Sequence, residues 1–208
     1  MNSLEKEKVY DTYQKIAEHF SNTRHYIWPN TKEYIDNIKP NLKVADIGCG
    51  NGRNMYREDI EWYGMDFCDK FVDLCKSQNK NVILGNILDI PFSDNEFDYT
   101  ICIAVIHHLS TFERRLKSIQ ELIRITKPKG KIYLQVWGFN KDKYNTQEAM
   151  VEWNLQKKYN GGKKNIVINR YYHLFLKDEL ENMIPKNSVN IIKSIEEHNN
   201  WIVELEKI

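Results

Sequence analysis

The apolar positions along the chain change period several times, and those changes divide it into elements. Over 4–20, Leu4, Tyr10, Tyr13, Ile16, Ala17 and Phe20 recur at mostly helical spacing, which predicts a helix. An aromatic-rich turn follows at 21–29, and 31–38 predicts a short helix ended by Pro40. Short apolar runs at 42–47, 60–65, 81–84, 97–105 and 131–137 read as strands. Between them 67–77 and 111–126 read as helices, the second stopped near Pro128-Lys129-Gly130. Strands alternating with helical stretches predict an α/β fold, its parallel sheet wound by right-handed crossovers.

Beyond Gly138 this rhythm is lost. Residues 139–165 are polar, with Gly161-Gly162 inside a Lys/Asn-rich stretch, and are expected to form a mobile insertion. A short helix is expected at 177–184. Strands at 189–195 and 201–208, joined through Glu196-Glu197-His198-Asn199-Asn200, would form a hairpin that makes the sheet mixed. No internal repeat is visible. The expected organisation is one domain over 1–208, with a helical cap at 1–40.

Composition narrows the class. With 208 residues, 41% hydrophobic and 28% charged, the chain has material for one sizeable core, which excludes a disordered chain, a collagen or a coiled coil. The longest apolar run, 101–106, is far too short to span a bilayer, and the first eight residues hold no apolar signal region. No membrane association and no secretion are expected, and the expected location is the cytoplasm or also the nucleus. Lys and Arg number 30 against 29 Asp and Glu, so any nucleic-acid binding must rest on local patches. The four cysteines, Cys49, Cys68, Cys75 and Cys102, form no C-x-x-C pair and have no histidine at zinc spacing, which predicts buried free thiols and no metal site.

The segment Val44-Ala45-Asp46-Ile47-Gly48-Cys49-Gly50-Asn51-Gly52 carries the strongest chemical signal. Its glycines fall at i, i+2 and i+4, unlike the G-x-G-x-x-G of a pyrophosphate site. This spacing suits close main-chain approach to a nucleoside such as S-adenosylmethionine. Asp46 can hold the loop or a ligand ammonium, and Asp66, 20 residues on, can accept from both ribose hydroxyls. A tight structural turn that merely contains glycines is the plain alternative.

This arrangement resembles the class I S-adenosylmethionine-dependent methyltransferases from about residue 42 to 137. The resemblance implies a Rossmann-like, mostly parallel seven-stranded sheet with helices on both faces and an antiparallel last strand. It places Asp46, Gly48, Cys49, Gly50 and Asp66 around the cofactor, Asn86 at the adenine amine, Ile87 on the adenine face, and Ala104 beneath the methionine moiety.

Three further segments narrow the resemblance. They are Val9 to Arg24 with Trp28-Pro29, Ile103-Ala104-Val105-Ile106-His107-His108-Leu109-Ser110-Thr111, and Asn169-Arg170-Tyr171-Tyr172-His173-Leu174-Phe175. Together with the glycine loop they look like the eukaryotic tRNA wobble-uridine carboxymethyl methyltransferases, similar also to the methyltransferase domain of AlkB-type tRNA hydroxylases. The resemblance implies esterification of the carboxylate of 5-carboxymethyluridine in the tRNA anticodon loop. It also implies a heterodimer with a small zinc-binding activator subunit, and substrate-side roles for Arg24, His108 and Arg170. A carboxylate is already ionised at neutral pH, so these residues are expected to bind and orient it rather than activate it. Tyr26 and Trp28 read as base-stacking faces or as core.

Two basic runs are candidate phosphate contacts. The first holds Arg114, Arg115, Lys117, Arg124, Lys127, Lys129 and Lys131; the second holds Lys157, Lys158, Lys163 and Lys164 before Arg170. Two rival readings remain at this point. One is a methyltransferase for a small molecule, which needs a closed apolar pocket. The other is a catalytically silent methyltransferase-like partner subunit.

Overall fold

Seven strands form the main sheet of this computed structural model, which describes residues 2–208. They are β1 (Lys43–Ile47), β2 (Glu61–Asp66), β3 (Val82–Leu84), β4 (Phe97–Ile103), β5 (Thr126–Trp137), β8 (Val189–Glu197) and β9 (Asn200–Lys207). Their order is β3-β2-β1-β4-β5-β9-β8. The pairs from β3 to β5 are all parallel, while β9 runs antiparallel to both β5 and β8. This is the mixed seven-stranded sheet that the alternation of elements predicts.

Both faces of the sheet are buried, which explains why the central strands read as unbroken apolar runs. Ala45, Ile47, Cys102, Leu134 and Val136 pack on one face with Ile119, Leu122 and Ile123 of α5 (Phe112–Ile125) and with Leu180 and Met183 of α6 (Glu179–Met183). Val44, Ile101, Ile103 and Tyr133 pack on the other with Ile35 of α3 (Pro29–Asp36) and with Val72 and Cys75 of α4 (Asp69–Ser77). Thr111 caps α5, its side chain accepting from the Arg114 amide. The order in which strands are added reverses between the parallel neighbours β1 and β4, so loops from their carboxyl ends open a crevice there.

Two departures from the sequence reading matter for the site. Strand β4 ends at Ile103, two residues earlier than expected. Ala104 adopts φ 61 and turns the chain into a 3-10 turn, Ile106–His108. The insertion expected at 139–165 is not loop throughout. It contains β6 (Glu148–Leu155), which pairs antiparallel with β7 (Ile166–His173) in a separate two-stranded sheet. Ala149, Val151, Trp153 and Leu155 alternate along β6 and turn inward, wholly or partly buried.

The amino-terminal helices α1 (Ser3–Glu5) and α2 (Asp11–Ser21), joined by a π-helical turn at Lys6–Tyr10, pack with α4 and this hairpin. Val9, Tyr13, Ile16 and Ala17 meet Phe71, Trp153, Leu155 and Tyr171 in a third apolar cluster. The cap is pinned by an ion pair. Glu5, 3% exposed, accepts from Arg114 Nη2 at 2.6 Å and Nε at 2.8 Å, and from the Ser110 amide at 2.8 Å. Burial alone would raise the Glu5 pKa, but these hydrogen bonds, led by Arg114, hold it below the ordinary glutamate value. None of the described helices is long and apolar enough to cross a membrane.

Removing Arg114 leaves a buried carboxylate without its cation. Arg114→Ala is expected to cost about 3 kcal/mol and to release the cap before the sheet unfolds. Hydrogen exchange would then show faster exchange over 4–21 with the sheet unchanged. Because the Glu5 pKa is depressed in the fold, the pair's stabilisation holds above the unfolded pKa. It disappears as pH falls through the folded one.

Candidate active site

The crevice is built from the ends of four parallel strands. After β1 the chain turns through Gly48 at φ +80 and Gly50 at φ +54. A Cβ on Gly48 would collide with Val105 Cγ2, so no side chain fits there, while a Cβ on Gly50 would enter open space. Asp66, at the end of β2, fixes this loop: Oδ2 accepts from the Gly50 amide at 2.8 Å and Oδ1 from the Cys68 amide at 2.9 Å. The Cys75 thiol donates to the Gly50 carbonyl at 3.3 Å. Asn51 Nδ2 donates to the Arg24 carbonyl at 3.2 Å and joins the glycine loop to segment 21–28.

Both expected acids are buried. Burial pushes Asp46 up to about 7, and Asn54 is its one hydrogen-bond partner, at 3.5 Å to Oδ2. Asp46 Oδ1 is buried with no partner. Burial pushes Asp66 up to about 6, against the lowering effect of the Cys68 and Gly50 amides.

The residues fit S-adenosylmethionine. Asp66, Asn86, Ile87, Gly48, Val105 and Phe67 line one recess, while Gly48, Cys49, Gly50 and Ala104 line the recess beside it. Asp46, expected at the cofactor, lies fully buried beneath the same loop and lines neither recess, and its Oδ1 has no partner. Asn86 Oδ1 accepts from the Leu88 amide at 3.0 Å and keeps a second lone pair for an amine such as that of adenine, while Nδ2 is a donor. Glu5, Val9 and Arg114 of the cap region also line the first recess, which the sequence reading missed.

A further cavity of about 300 Å³ adjoins the second recess through Tyr13, Phe20, Arg53 and Ala104. Arg24, Arg53 and Arg170 line it, with no carboxylate among its lining residues. None of the three forms an ion pair among the described residues. Arg170 is 3% exposed; its Nη1 donates to Tyr172 Oη at 2.8 Å and Tyr13 Oη at 3.5 Å, and its Nε has no partner. Burial lowers the Arg24 pKa, and the nearby Arg170 charge lowers it further. The Trp153 ring centroid lies 5.4 Å from the Arg24 guanidinium and 5.0 Å from that of Arg170.

The paired histidines separate. His108, expected on the substrate side, does not line this cavity. Its Nδ1–H donates to the Tyr171 carbonyl at 2.8 Å, which leaves Nε2 to accept from Tyr13 Oη at 2.9 Å. Burial pushes its pKa down to about 3, so the ring is neutral and fully engaged. Its neighbour His107 does line the cavity. His107 Nδ1 accepts from the Trp137 amide at 3.1 Å, so the proton of the neutral ring sits on Nε2 as an uncommitted donor. His107 and Trp137 both stack on Tyr172, at 4.7 and 4.6 Å between centroids. Tyr13, Arg53, Trp137 and Tyr172 were also missed, because aromatic residues at core spacing and a lone arginine after a glycine loop carry no distinguishing signal.

The first basic run loses its expected character. Arg114 pairs with Glu5, Lys117 and Arg124 with Glu121, and Lys127 with Asp98, while Arg115 donates to the Leu109 carbonyl. No such neutralisation reaches Lys157, Lys158, Lys163 or Lys164 among the described ion pairs.

Asp66 must be ionised to accept from a ribose as well as from its two amides. Protons therefore compete with the cofactor, and affinity for S-adenosylhomocysteine is expected to fall as pH drops through about 6. Asp66→Asn should weaken binding by about 1–3 kcal/mol and remove that pH dependence, which titration calorimetry from pH 5 to 8 would measure.

Comparison with known proteins agrees with this geometry. Residues 45–134 match the methyltransferase domain family. The chain is 33% identical to the tRNA (carboxymethyluridine(34)-5-O)-methyltransferase of Schizosaccharomyces pombe, over 98% of this chain and 97% of that protein. It is 31% identical to the Xenopus tropicalis protein of the same activity name, over 100% of this chain but 42% of that longer relative. Among solved structures, a chain from the complex between the Haloferax volcanii Trm112 methyltransferase activator and a methyltransferase superposes with TM-score 0.70 at 13% identity. That match covers 98% of this chain and 97% of the other. Glycine loop, sheet order and full-length similarity agree, and the chain belongs to the tRNA (carboxymethyluridine) methyltransferase family of S-adenosylmethionine-dependent enzymes.

Proposed function

We infer that the protein transfers a methyl group from S-adenosylmethionine to the carboxylate of 5-carboxymethyluridine at the anticodon wobble position of tRNA. One observation carries this reading: three arginines line the cavity next to the cofactor recess, and no carboxylate neutralises them. A buried guanidinium without a counter-ion is costly, and an anionic acceptor supplies the missing charge. The rival small-molecule reading called for a closed apolar pocket, and this cavity is cationic.

The bound cofactor supplies an electrophilic methyl group on a sulfonium. The chain's own residues do the rest by placement. Arg24 and Arg170 hold the acceptor carboxylate, and the Nε2–H of His107 adds a neutral donor, taking the part expected of His108. No general base is required, since a carboxylate is ionised at neutral pH. Rate then comes from in-line alignment, and rigid donors serve it best. His108 works one step back: it fixes the Tyr13 hydroxyl, which in turn meets Arg170. The lysines at 157, 158, 163 and 164 serve as phosphate contacts beside Arg24, through the packing of Tyr159 on His19 at 4.5 Å.

A heterodimer with a small zinc-binding activator belongs to the same proposal. The Haloferax neighbour is a methyltransferase seen with an activator, and β3 is an edge strand whose Leu84 is 57% exposed. Leu84→Arg is expected to abolish co-purification with a co-expressed Trm112-type activator while leaving the melting temperature of the free chain unchanged.

Arg24→Ala and Arg170→Ala are each expected to lower methyl transfer by about ten- to a thousandfold, with cofactor affinity near wild type. Neutralising Lys157, Lys158, Lys163 and Lys164 together should instead raise KM for tRNA and flatten its salt dependence, with turnover at saturation little changed. Nucleoside analysis of tRNA bearing 5-carboxymethyluridine reads both. Arginine variants that leave methyl ester formation intact would defeat the assignment.

A further inference from the structure

Trp28 and Trp137 line the cationic cavity and also a neighbouring one of about 270 Å³. Lys143, Tyr144 and Asn200 form other parts of its wall, and no acidic residue lines it. Asn200 comes from the start of β9 and is 5% exposed. Its Nδ2 donates to the carbonyls of Glu197 at 2.9 Å and His198 at 3.2 Å, which anchors the β8–β9 turn. Its Oδ1 is buried and has no donor. Lys143 is exposed and forms no ion pair among the described residues.

We propose that this cavity is a subsite for the nucleobase adjacent to the modified uridine, stacked against Trp28, Trp137 and Tyr144, with Lys143 meeting a flanking phosphate. The assignment rests on the tRNA reading above. Its chemistry is that of single-stranded RNA recognition: indole faces take any base, and a cation tracks the backbone. The shared indole walls explain why the two cavities occur side by side. A base in the cationic cavity and its neighbour in the second would be splayed about Trp28 and Trp137, which removes the uridine from its stack and exposes its carboxymethyl group.

The test measures binding of a labelled anticodon stem-loop RNA carrying 5-carboxymethyluridine to the full chain with S-adenosylhomocysteine, by fluorescence anisotropy. Two further RNAs lack the base on the 5′ or on the 3′ side of the uridine. One of these losses is expected to weaken binding about five- to tenfold, and the other much less. Tyr144→Ala should weaken the intact RNA by a similar factor and add nothing on the RNA that already lacks the stacked base, with thermal melting to check that the fold is intact. A variant that weakens all three RNAs equally, or that leaves the intact RNA unaffected, would show that the cavity holds only water and would overturn the subsite. A wild-type chain that binds and methylates none of the three RNAs would remove the tRNA reading itself.

Discussion

Arg170 is a buried guanidinium held by two tyrosine hydroxyls and two aromatic faces, with no carboxylate to pair with it. Much of the substrate side follows from that one charge. An acid placed beside it would stabilise the fold and fill the place of the substrate. Neutral donors and π faces instead hold the cation while leaving its charge available. The Tyr13 hydroxyl can orient toward Arg170 only because His108 Nε2 accepts its proton, and His108 can accept only because the Tyr171 carbonyl takes the proton on Nδ1. Arg24 and Arg53 add like charge, and burial lowers the pKa of each, helped by the Arg170 charge on Arg24 and the Arg24 charge on Arg53. Such a cavity attracts an anion before any specific contact is made.

Cofactor recess and cationic cavity are mechanically one object. Asp66 holds the Gly50 amide, Asn51 of the same loop holds the Arg24 carbonyl, and Tyr13, Arg53 and Ala104 line both spaces. Ala104 is the joint. A non-glycine residue in the left-handed region costs of order 1–3 kcal/mol, and here the Ala104 amide bond to the Gln135 carbonyl at 2.8 Å holds it. This strained turn ends β4 early and starts the 3-10 turn. Successive side chains of a 3-10 turn point about 120° apart, so adjacent histidines cannot share a direction. His107 lines the cationic cavity and His108 lines the cofactor side.

Period and punctuation in the sequence made most of the sheet legible. Apolar runs of strand length bounded by glycine, asparagine or proline gave β1 to β4, β8 and β9 to within two residues, the central ones because both their faces are covered, whereas β5 begins at Thr126 and runs through Pro128-Lys129-Gly130, where a stop is expected. The cofactor loop was legible because its chemistry lies in the backbone: glycines at i, i+2 and i+4 with an acid after the next strand constrain main-chain geometry directly. The hairpin of β6 and β7 was lost behind composition. Ala149, Val151, Trp153 and Leu155 alternate as a strand should, yet the lysines and asparagines around them read as solvent-facing loop.

The sequence by itself determined the sheet, the glycine loop with Asp46 and Asp66, and the arginines and lysines available for an anionic partner. Tertiary structure decided which of them act. It neutralised the basic run at 114–127 with Glu5, Asp98 and Glu121, residues whose pairing depends on distances across the fold. It placed His107 rather than His108 in the cavity and brought Tyr13, Arg53, Trp137 and Tyr172 from four separate elements around it. Those assignments depend on hydrogen-bond direction, burial and the angle of a single strained turn. Such properties belong to no residue alone, and they arise only when distant segments share one space.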